Sequence, residues 1–527
     1  MAGEKLRILM TGAAVFAIYA ALTLIGGAFR FTSHEADMIH LVELVLRVSA
    51  GAVPHLDFMT PIGHWAILPM ALLHRAGVGL GYAMISSQVL VAAALFPVCA
   101  WLSLTRLTLR QSLALFLVVM GLCMAMVFGS ADPLISLSMH YNRWCWAASI
   151  LVVIAVLIPP RTPGTGYVDG IAVGALMAAM AMTKVTFAIA LAAPVIFALL
   201  RGGRSPDLFV AFAAAFAMLL AVTLFHGAEF WWAYAADLLA VTGSENRPMP
   251  SAHWRALLLS PAGTPVTAAV LFGLWCLSKG GRRDLAAMLL LFYPAFVFIT
   301  WQNFGNDPVW LLALALVLWV VSDGLTGPAR LLSRGTALVA TVLILPAAIN
   351  MLYSPVRHLM LADDGFRPML ESHPDLRMAT ARGEGAWVKQ TVIFPQKTEP
   401  TVFRGETLAE CELSGGLVAR LERDAAALVS LAPELDRQPL VADLFSPHWL
   451  FSDLRPLAGG APWYYDGLPG LAEAAHVLVP ACPADIRARR HVLRLLVEAG
   501  VILRAIGETP DFKLYRIERQ EKAASAT

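Results

Sequence analysis

Residues 207–225 read DLFVAFAAAFAMLLAVTLF, a stretch of nineteen positions in which Asp207 is the one charged side chain. A membrane-spanning α-helix needs about 20 mostly apolar residues, because each residue advances it by about 1.5 Å across a hydrocarbon layer about 30 Å thick. The stretch therefore predicts a spanning helix. The chain of 527 residues shares this character, since 58% of its residues are hydrophobic and 14% are charged.

Working outward from this stretch, ten further apolar segments of similar length predict a polytopic membrane protein. A shorter apolar run, Trp65–Leu73, is interpreted as a short helix at the membrane surface, because a full span there would turn the later basic loops outward. The eleven predicted spans are 8–28, 80–102, 110–128, 144–159, 167–183, 185–200, 207–225, 259–278, 285–301, 308–322 and 333–352.

Charge density divides the chain into two regions. Charged residues make up about 9% of residues 1–352 and about 25% of residues 353–527, and the second value is that of a soluble domain. In the second region, Gly416–Leu431 and Ala484–Gly500 have helical patterns. Pro439–Phe445, Ala475–Pro480, Val501–Ile506 and Phe512–Ile517 have strand patterns. We therefore predict a transmembrane module over 1–352 and a small α/β domain over 353–527.

The short loops predict the orientation. With the N-terminus inside, most Lys and Arg residues of the first region fall on the cytoplasmic side, and most Asp and Glu residues fall on the opposite side. This is the usual bias of membrane proteins. An odd number of spans then places the C-terminal domain outside, as in a multi-pass protein of a bacterial inner membrane. The net charge of +2 and the composition exclude a basic nucleic-acid binder and an ordinary soluble enzyme.

Six cysteines add little to the functional interpretation. Cys99, Cys123, Cys145 and Cys276 lie in or beside predicted spans and are expected to pack as apolar residues. Cys411 and Cys482 both lie in the predicted outer domain, where an oxidising compartment permits a disulfide. The sequence leaves that pairing open.

The polar residues concentrate in the predicted outer loops, and the first of these is the most informative. It contains His34, Glu35 and Asp37, an apolar pattern over Ile39–Val48, and then the segment Gly51–Trp65 with Asp57. The pattern predicts an amphipathic helix lying in the membrane interface. Acidic residues at its start suit either a helix cap, favoured by the helix dipole, or a catalytic carboxylate.

This loop resembles the first outer loop of the C-type (GT-C) membrane glycosyltransferases. The resemblance lies in acids directly after the first span, an amphipathic helix, and then Gly51-x-x-Pro54-x-x-Asp57-Phe58 and Pro61-x-Gly63. Many members have Asp-Glu at the start of the loop, where this chain has His34-Glu35. The resemblance implies an enzyme that moves a sugar from a polyprenyl-phosphate donor to a glycan, lipid or protein acceptor at the outer face, as an inverting hexosyl or pentosyl transferase.

Such chemistry needs a carboxylate base for the acceptor hydroxyl and fixed cations for the leaving phosphate. The candidate catalytic residues are Glu35, Asp37 and Asp57. The candidate phosphate-binding residues are Lys184, Arg143, Arg247, His253 and Arg255, and the candidate sugar- or acceptor-binding residues are His34, Asn303, Asn306 and Asp307. Several have a plainer structural alternative: for Lys184 it is a side chain that snorkels from the end of a span, and for Gln302–Pro308 it is a turn, for which Asn, Gly, Asp and Pro are the usual residues.

Two other functions stay open. A transporter or flippase of lipid-linked sugars would have the same composition, although neither half-repeats nor ionisable residues near the midplane are visible. A membrane scaffold that presents the outer domain is the third interpretation. The sequence demands no cofactor, although carboxylates would permit a divalent metal ion.

Overall fold

The computed structural model describes residues 2–161, 166–244, 253–303, 307–380, 387–390 and 401–518, and at Ala2, Trp254 and 387–390 it describes the backbone. By their contacts the residues form two compact units. The first, here called the membrane unit, covers Met1–Ser33, Ile62–Ala228 and Met249–Ala362. The second, here called the α/β unit, covers His34–Pro61, Glu229–Pro248 and Asp363–Thr527.

The membrane unit is helical, apart from the short strand β1 (Phe29–Phe31) and a 3₁₀ turn at His64–Ala66. Each of the eleven predicted spans coincides with one of its helices. The helices described in this unit, of which α3 and α11 are not predicted spans, are α1 (Ala2–Leu24), α3 (Leu68–Arg75), α4 (Leu80–Arg106), α5 (Leu109–Met124), α6 (His140–Leu157), α7 (Gly166–Thr183), α8 (Val185–Arg201), α9 (Ser205–His226), α11 (Trp254–Leu259), α12 (Gly263–Lys279), α13 (Arg283–Gln302), α14 (Leu311–Ser322) and α15 (Gly327–Leu359).

Length separates these helices into classes. Among the described residues, seven helices are long and apolar enough to cross a membrane, and α5, α8 and α14 are shorter apolar helices. The short helix predicted over Trp65–Leu73 corresponds to α3 (Leu68–Arg75), which has 8 residues. At about 1.5 Å per residue it extends about 12 Å, well short of a hydrocarbon layer about 30 Å thick.

Small residues let two of these helices approach closely. Gly166, Gly170 and Gly174 follow one another at four-residue spacing along α7, and a Cβ atom at any of them would collide with α9. At Gly174 the obstacle is the backbone of Ala211. Glycines at this spacing are a common device of membrane helix packing, because lipid chains provide no hydrophobic force between helices.

Buried charges join the same helices at one end. Arg106, on α4, is 1% exposed and is ion-paired with Asp169 of α7. Arg204 reaches the same carboxylate at 2.9 Å and Asp207 of α9 at 2.6 Å. Removing one partner from such a network leaves an uncompensated buried charge, which typically destabilises a protein by about 3–5 kcal/mol.

The α/β unit is built on a four-stranded sheet of order β10-β11-β9-β8. β8 and β9 are parallel and the other pairs are antiparallel. Helices α16 and α17 flank this sheet, and α2 and α10 belong to the same unit. The bounds are β8 (Leu440–Val441), β9 (His476–Pro480), β10 (Ile502–Glu508), β11 (Phe512–Glu518), α2 (Glu35–Ser49), α10 (Glu229–Gly243), α16 (Leu417–Leu431) and α17 (Ile486–Glu498).

Strand β9 shows why the helices lie on opposite faces. Successive side chains of a strand point to opposite sides. Val477 and Val479 join a core cluster with Leu496 of α17, whereas Leu478 joins a second cluster with Leu428 of α16. The predicted α/β architecture is therefore confirmed, as is the helical membrane module, while the number of spans and the orientation stay predictions.

Three small antiparallel pairs complete the α/β unit. They are β2 (Phe366–Pro368) with β3 (Leu376–Ala379), β4 (Trp387–Gln390) with β7 (Cys411–Gly415), and β5 (Val402–Phe403) with β6 (Glu406–Thr407). Cys411 of β7 forms a disulfide with Cys482 after β9, across 71 residues of sequence. The other four cysteines are free and buried, as expected.

One structural expectation is wrong. Helix α2 does not expose a polar face as a helix lying in a membrane interface would. Glu43 is fully buried, Arg47 is 4% exposed, and they are ion-paired at 2.7 Å. Trp449 donates to the Glu43 carboxylate at 3.0 Å, and Arg47 donates to the Leu457 carbonyl at 3.1 Å. The polar face of α2 is thus buried against the C-terminal part of the α/β unit.

For the same reason the second unit is not one continuous stretch of sequence. The charge density predicts one boundary, between residues 352 and 353. By contacts, the first loop and Glu229–Pro248 also belong to the α/β unit. Their anchors include the stacking of His55 on Tyr234, with ring centroids 4.3 Å apart, and the backbone hydrogen bond from Met59 to Gly460, at 3.0 Å.

Candidate functional site

The first-loop acids lie at the start of α2, which begins at Glu35. His34, directly before it, has the left-handed backbone conformation with φ 59°. Few non-glycine residues adopt this conformation, and it turns the chain sharply into the helix. Asp37 is half-buried in the first turn. Because a helix N-terminus carries partial positive charge, both carboxylates are stabilised there as anions.

Glu35 has a partner far away in sequence. Its Oε1 accepts a hydrogen bond from the backbone N–H of Val418 at 2.8 Å, in the first turn of α16. That helix follows Gly416, which has φ 68° and whose lack of a side chain suits the left-handed turn. Glu35 is therefore buried and its carboxylate caps α16, whereas the structural alternative predicted from the sequence was a cap of its own helix, α2.

Asp57 is exposed, and its side chain bonds within its own loop. Its Oδ2 accepts from the backbone N–H of Val53 at 2.6 Å, and its carbonyl accepts from Gly459 at 2.8 Å. The side chain thus closes the turn between Val53 and Asp57. This geometry favours a positioning role for Asp57 over a role as base.

Lys184 lies in the membrane unit, at the junction between α7 and α8. Its Nζ donates to Oδ1 of Asn142 at 3.0 Å and to Oδ1 of Asn303, and it lies 5.2 Å from the ring centroid of Tyr141. The Nδ2 atoms of both asparagines are buried and have no acceptor within the described ranges. One ammonium and two amide groups thus form a cluster of hydrogen-bond donors.

Unpaired buried donors are uncommon, because each one loses its hydrogen bonds to water without replacing them. This loss typically destabilises the folded state by about 1–3 kcal/mol. A ligand with several acceptor oxygens would satisfy them. The span-end position of Lys184 fits the snorkelling alternative, but its hydrogen bonds to two buried amides fit a binding site better. Asn303, predicted for sugar binding, belongs to this cluster.

Arg143 follows Asn142 in sequence, but its guanidinium bonds to backbone carbonyls. It is 2% exposed, and its guanidinium donates to the carbonyls of Ala125 at 3.1 Å, Ser138 at 3.3 Å and Val127. These contacts hold the segment between α5 and α6 in place. The structure therefore favours a positioning role for Arg143 over direct contact with a phosphate.

The remaining candidates have varied surroundings. Asp307 lines a small cavity of about 20 Å³ together with Asn142, Arg143 and Asn303, and burial raises the pKa of its carboxyl group. His253 precedes the short helix α11, and both His253 and Arg255 are exposed. Arg247 and Asn306 lie outside the described residues.

Sequence reasoning missed two histidine pairings. His55, with φ 74°, is bonded through Nδ1 to Asp237 at 2.8 Å, and Thr60 donates its N–H to the same carboxylate at 3.0 Å. His64 packs against His226 with ring centroids 5.1 Å apart. The N–H of Gly63, directly before His64, donates to the carbonyl of Thr183 at 3.1 Å. No local pattern signals partners so distant in sequence.

The candidate residues fall into both units. Glu35, Asp37 and Asp57 belong to the α/β unit, and Lys184, Arg143, Asn303 and Asp307 belong to the membrane unit. Within the described part of the chain, no group of three or more His, Cys, Asp or Glu side chains is arranged to hold a metal ion.

Comparison with known proteins shows a similarity in structure. Two solved structures are similar to this chain. Both are crystal structures of ArnT from Cupriavidus metallidurans, one bound to undecaprenyl phosphate and one in the apo state. They are each 10% identical in sequence, with TM-scores of 0.44 and 0.41, and the match covers 95% of this chain and 97% of ArnT. No family model and no curated protein matches.

Proposed function

We propose that this protein is a membrane glycosyltransferase of the GT-C type, which transfers a sugar from a polyprenyl-phosphate donor to an acceptor hydroxyl at the outer face of a bacterial inner membrane. The observation that carries the proposal is the donor cluster of Lys184, Asn142 and Asn303 in a chain of apolar helices. The first-loop resemblance supplies the class of reaction.

The cluster suits a lipid-linked phosphate for two reasons. A phosphate has several strong acceptor oxygens and negative charge, which match the two amide N–H donors and the Lys184 ammonium. The charge on the leaving phosphate grows in the transition state, so that fixed donors stabilise it more there than in the ground state.

Asp37 is the proposed base. It lies half-buried in the first turn of α2, in the loop that resembles the first outer loop of the GT-C enzymes. Glu35, which accepts from the N–H of Val418, and Asp57, which accepts from the N–H of Val53, are proposed to stabilise the fold. In the reaction, an acceptor oxygen attacks the anomeric carbon while the bond from that carbon to the phosphate oxygen breaks. The acceptor proton passes to the Asp37 carboxylate, and polyprenyl phosphate leaves with the bonding electron pair. A single displacement inverts the configuration at that carbon.

The test is sugar transfer by the purified full-length protein from a panel of radiolabelled polyprenyl-phosphate sugars. Lys184→Ala and Asp37→Asn are each expected to reduce kcat/KM at least about 100-fold. Lys279→Ala and Asp364→Asn are matched controls, because both residues are exposed, and they should retain activity. Saturable lipid binding without turnover for any donor would contradict the proposal and favour a flippase.

A further inference from the structure

A groove in the membrane unit is lined by residues other than the candidate site residues described above. It has a volume of about 510 Å³ and is lined by residues of α5, α14 and α15 and by Ile150 of α6. Most of the lining residues are apolar, among them Val118, Leu316 and Leu338. Arg110 and Arg334 are the charged residues that line it.

The two arginines lie at one end of the groove. Arg110 is the second residue of α5, and Arg334 donates to Asp323, directly after α14, at 2.8 Å. From Arg110 to Val118 the wall rises eight residues along α5, which is about 12 Å. That length fits within one leaflet, which is about half of a 30 Å hydrocarbon layer.

The charges at this end are not balanced. Arg334 is paired with Asp323, but Arg110 is exposed and has no partner within the part of the chain that the structure describes. No acidic residue lines the groove. A guanidinium is more weakly hydrated than an ammonium group and matches the geometry of a phosphate. At the mouth of an apolar channel its expected counterpart is a lipid phosphate, because basic pockets between membrane helices bind anionic headgroups.

We propose that this groove binds an anionic glycerophospholipid, with its phosphate at Arg110 and Arg334 and one acyl chain along Val118, Leu316 and Leu338. Trp319, half-buried in the lining, packs beside the upper part of that chain, as aromatic residues do near the membrane surface. The site is distinct in residues and chemistry from the Lys184 cluster, and it requires no glycosyl transfer.

The experiment measures lipid binding to the purified full-length protein by native mass spectrometry, with phosphatidylglycerol and phosphatidylcholine as probes. Wild type is expected to prefer phosphatidylglycerol. Arg110→Gln should reduce that preference about fivefold, the equivalent of about 1 kcal/mol for one arginine near a lipid headgroup. Arg110→Lys, which keeps the charge, should retain most of the preference.

Two further variants separate the site from general effects of charge and of folding. Arg7→Gln removes an exposed arginine of α1 that does not line the groove and should leave the preference unchanged. Ala114 is a half-buried residue of the groove wall, and the larger side chain of Ala114→Trp would fill the groove. This variant should weaken the binding of both lipids and retain sugar transfer. Equal binding of both lipids by wild type, or an equal loss in Arg7→Gln, would overturn the proposal. Displacement of bound phosphatidylglycerol by polyprenyl phosphate would also overturn it, in favour of a second carrier site.

Discussion

The Glu35 carboxylate and the backbone N–H of Val418 are joined by a hydrogen bond of 2.8 Å across 383 residues of sequence. This bond ties the start of α2 to the start of α16. It makes an acid of the first loop part of the helix framework of the α/β unit. We therefore expect Glu35 and Asp37, only two residues apart, to have different functions.

The two acids should differ when mutated. Glu35→Ala removes the cap of α16 and is expected to lower the free energy of unfolding by about 1–2 kcal/mol. Asp37→Asn should leave stability nearly unchanged and abolish transfer. Thermal unfolding and transfer assays on the same preparations measure both effects. Glu35→Gln, which keeps an acceptor for Val418, is the diagnostic control. Loss of transfer in Glu35→Gln at normal stability would make Glu35 the base.

Asn303→Asp should weaken donor binding. The new carboxylate would pair with Lys184, remove one Nδ2 donor and repel a phosphate. Because hydrogen bonds between charged groups contribute more than neutral ones, we expect the Kd for polyprenyl phosphate to rise at least about tenfold.

Binding of polyprenyl phosphate to the detergent-solubilised protein measures this change. Gln302→Glu adds the same charge one residue away and serves as the matched control. An unchanged Kd in Asn303→Asp would show that the Lys184 cluster does not bind the donor phosphate.

The buried pair Glu43–Arg47 provides a test of where α2 packs. Glu43→Ala would leave Arg47 buried without its carboxylate, which typically destabilises by about 3–5 kcal/mol. The double variant Glu43→Leu with Arg47→Met replaces the pair by apolar groups of similar size and should recover much of this loss. Chemical unfolding followed by tryptophan fluorescence measures both. If Glu43→Ala lowers the free energy of unfolding by less than about 0.5 kcal/mol, the pair is exposed to solvent and α2 lies in the membrane interface.

His40 should make the α/β unit sensitive to acid. Burial lowers the pKa of His40 to about 4, against an ordinary value near 6.5. A group whose pKa is lower in the folded state contributes stability that is present above pH 6.5 and is lost as the pH falls towards 4. Each unit of difference in pKa corresponds to about 1.4 kcal/mol, so the free energy of unfolding falls by about 3 kcal/mol by pH 4.

His40→Phe keeps an aromatic ring against Trp463, which lies 5.4 Å away between ring centroids, and removes the titration. Its free energy of unfolding relative to wild type should therefore increase as the pH is lowered from 6.5 to 4. Parallel curves for wild type and His40→Phe would show that His40 does not titrate differently in the folded state.

Local signals predicted much of the architecture. All eleven apolar segments became helices, and α17 and β9 lie within two residues of their predicted bounds, because apolar periodicity and stop residues act within a few neighbours. Lys184 was found in the same way, since an ionisable residue beside two apolar runs stands out without any partner.

What the sequence by itself determined is therefore the membrane character, the positions of the helices, the α/β type of the C-terminal region and the short list of polar residues. Only the tertiary structure decided which of those residues serve the fold. Glu35 caps α16, Arg143 binds backbone carbonyls, Cys411 pairs with Cys482, and Lys184 meets Asn142 and Asn303. The physical reason is that each of these contacts joins residues distant in the chain, whereas the sequence signals depend on neighbours within a few turns.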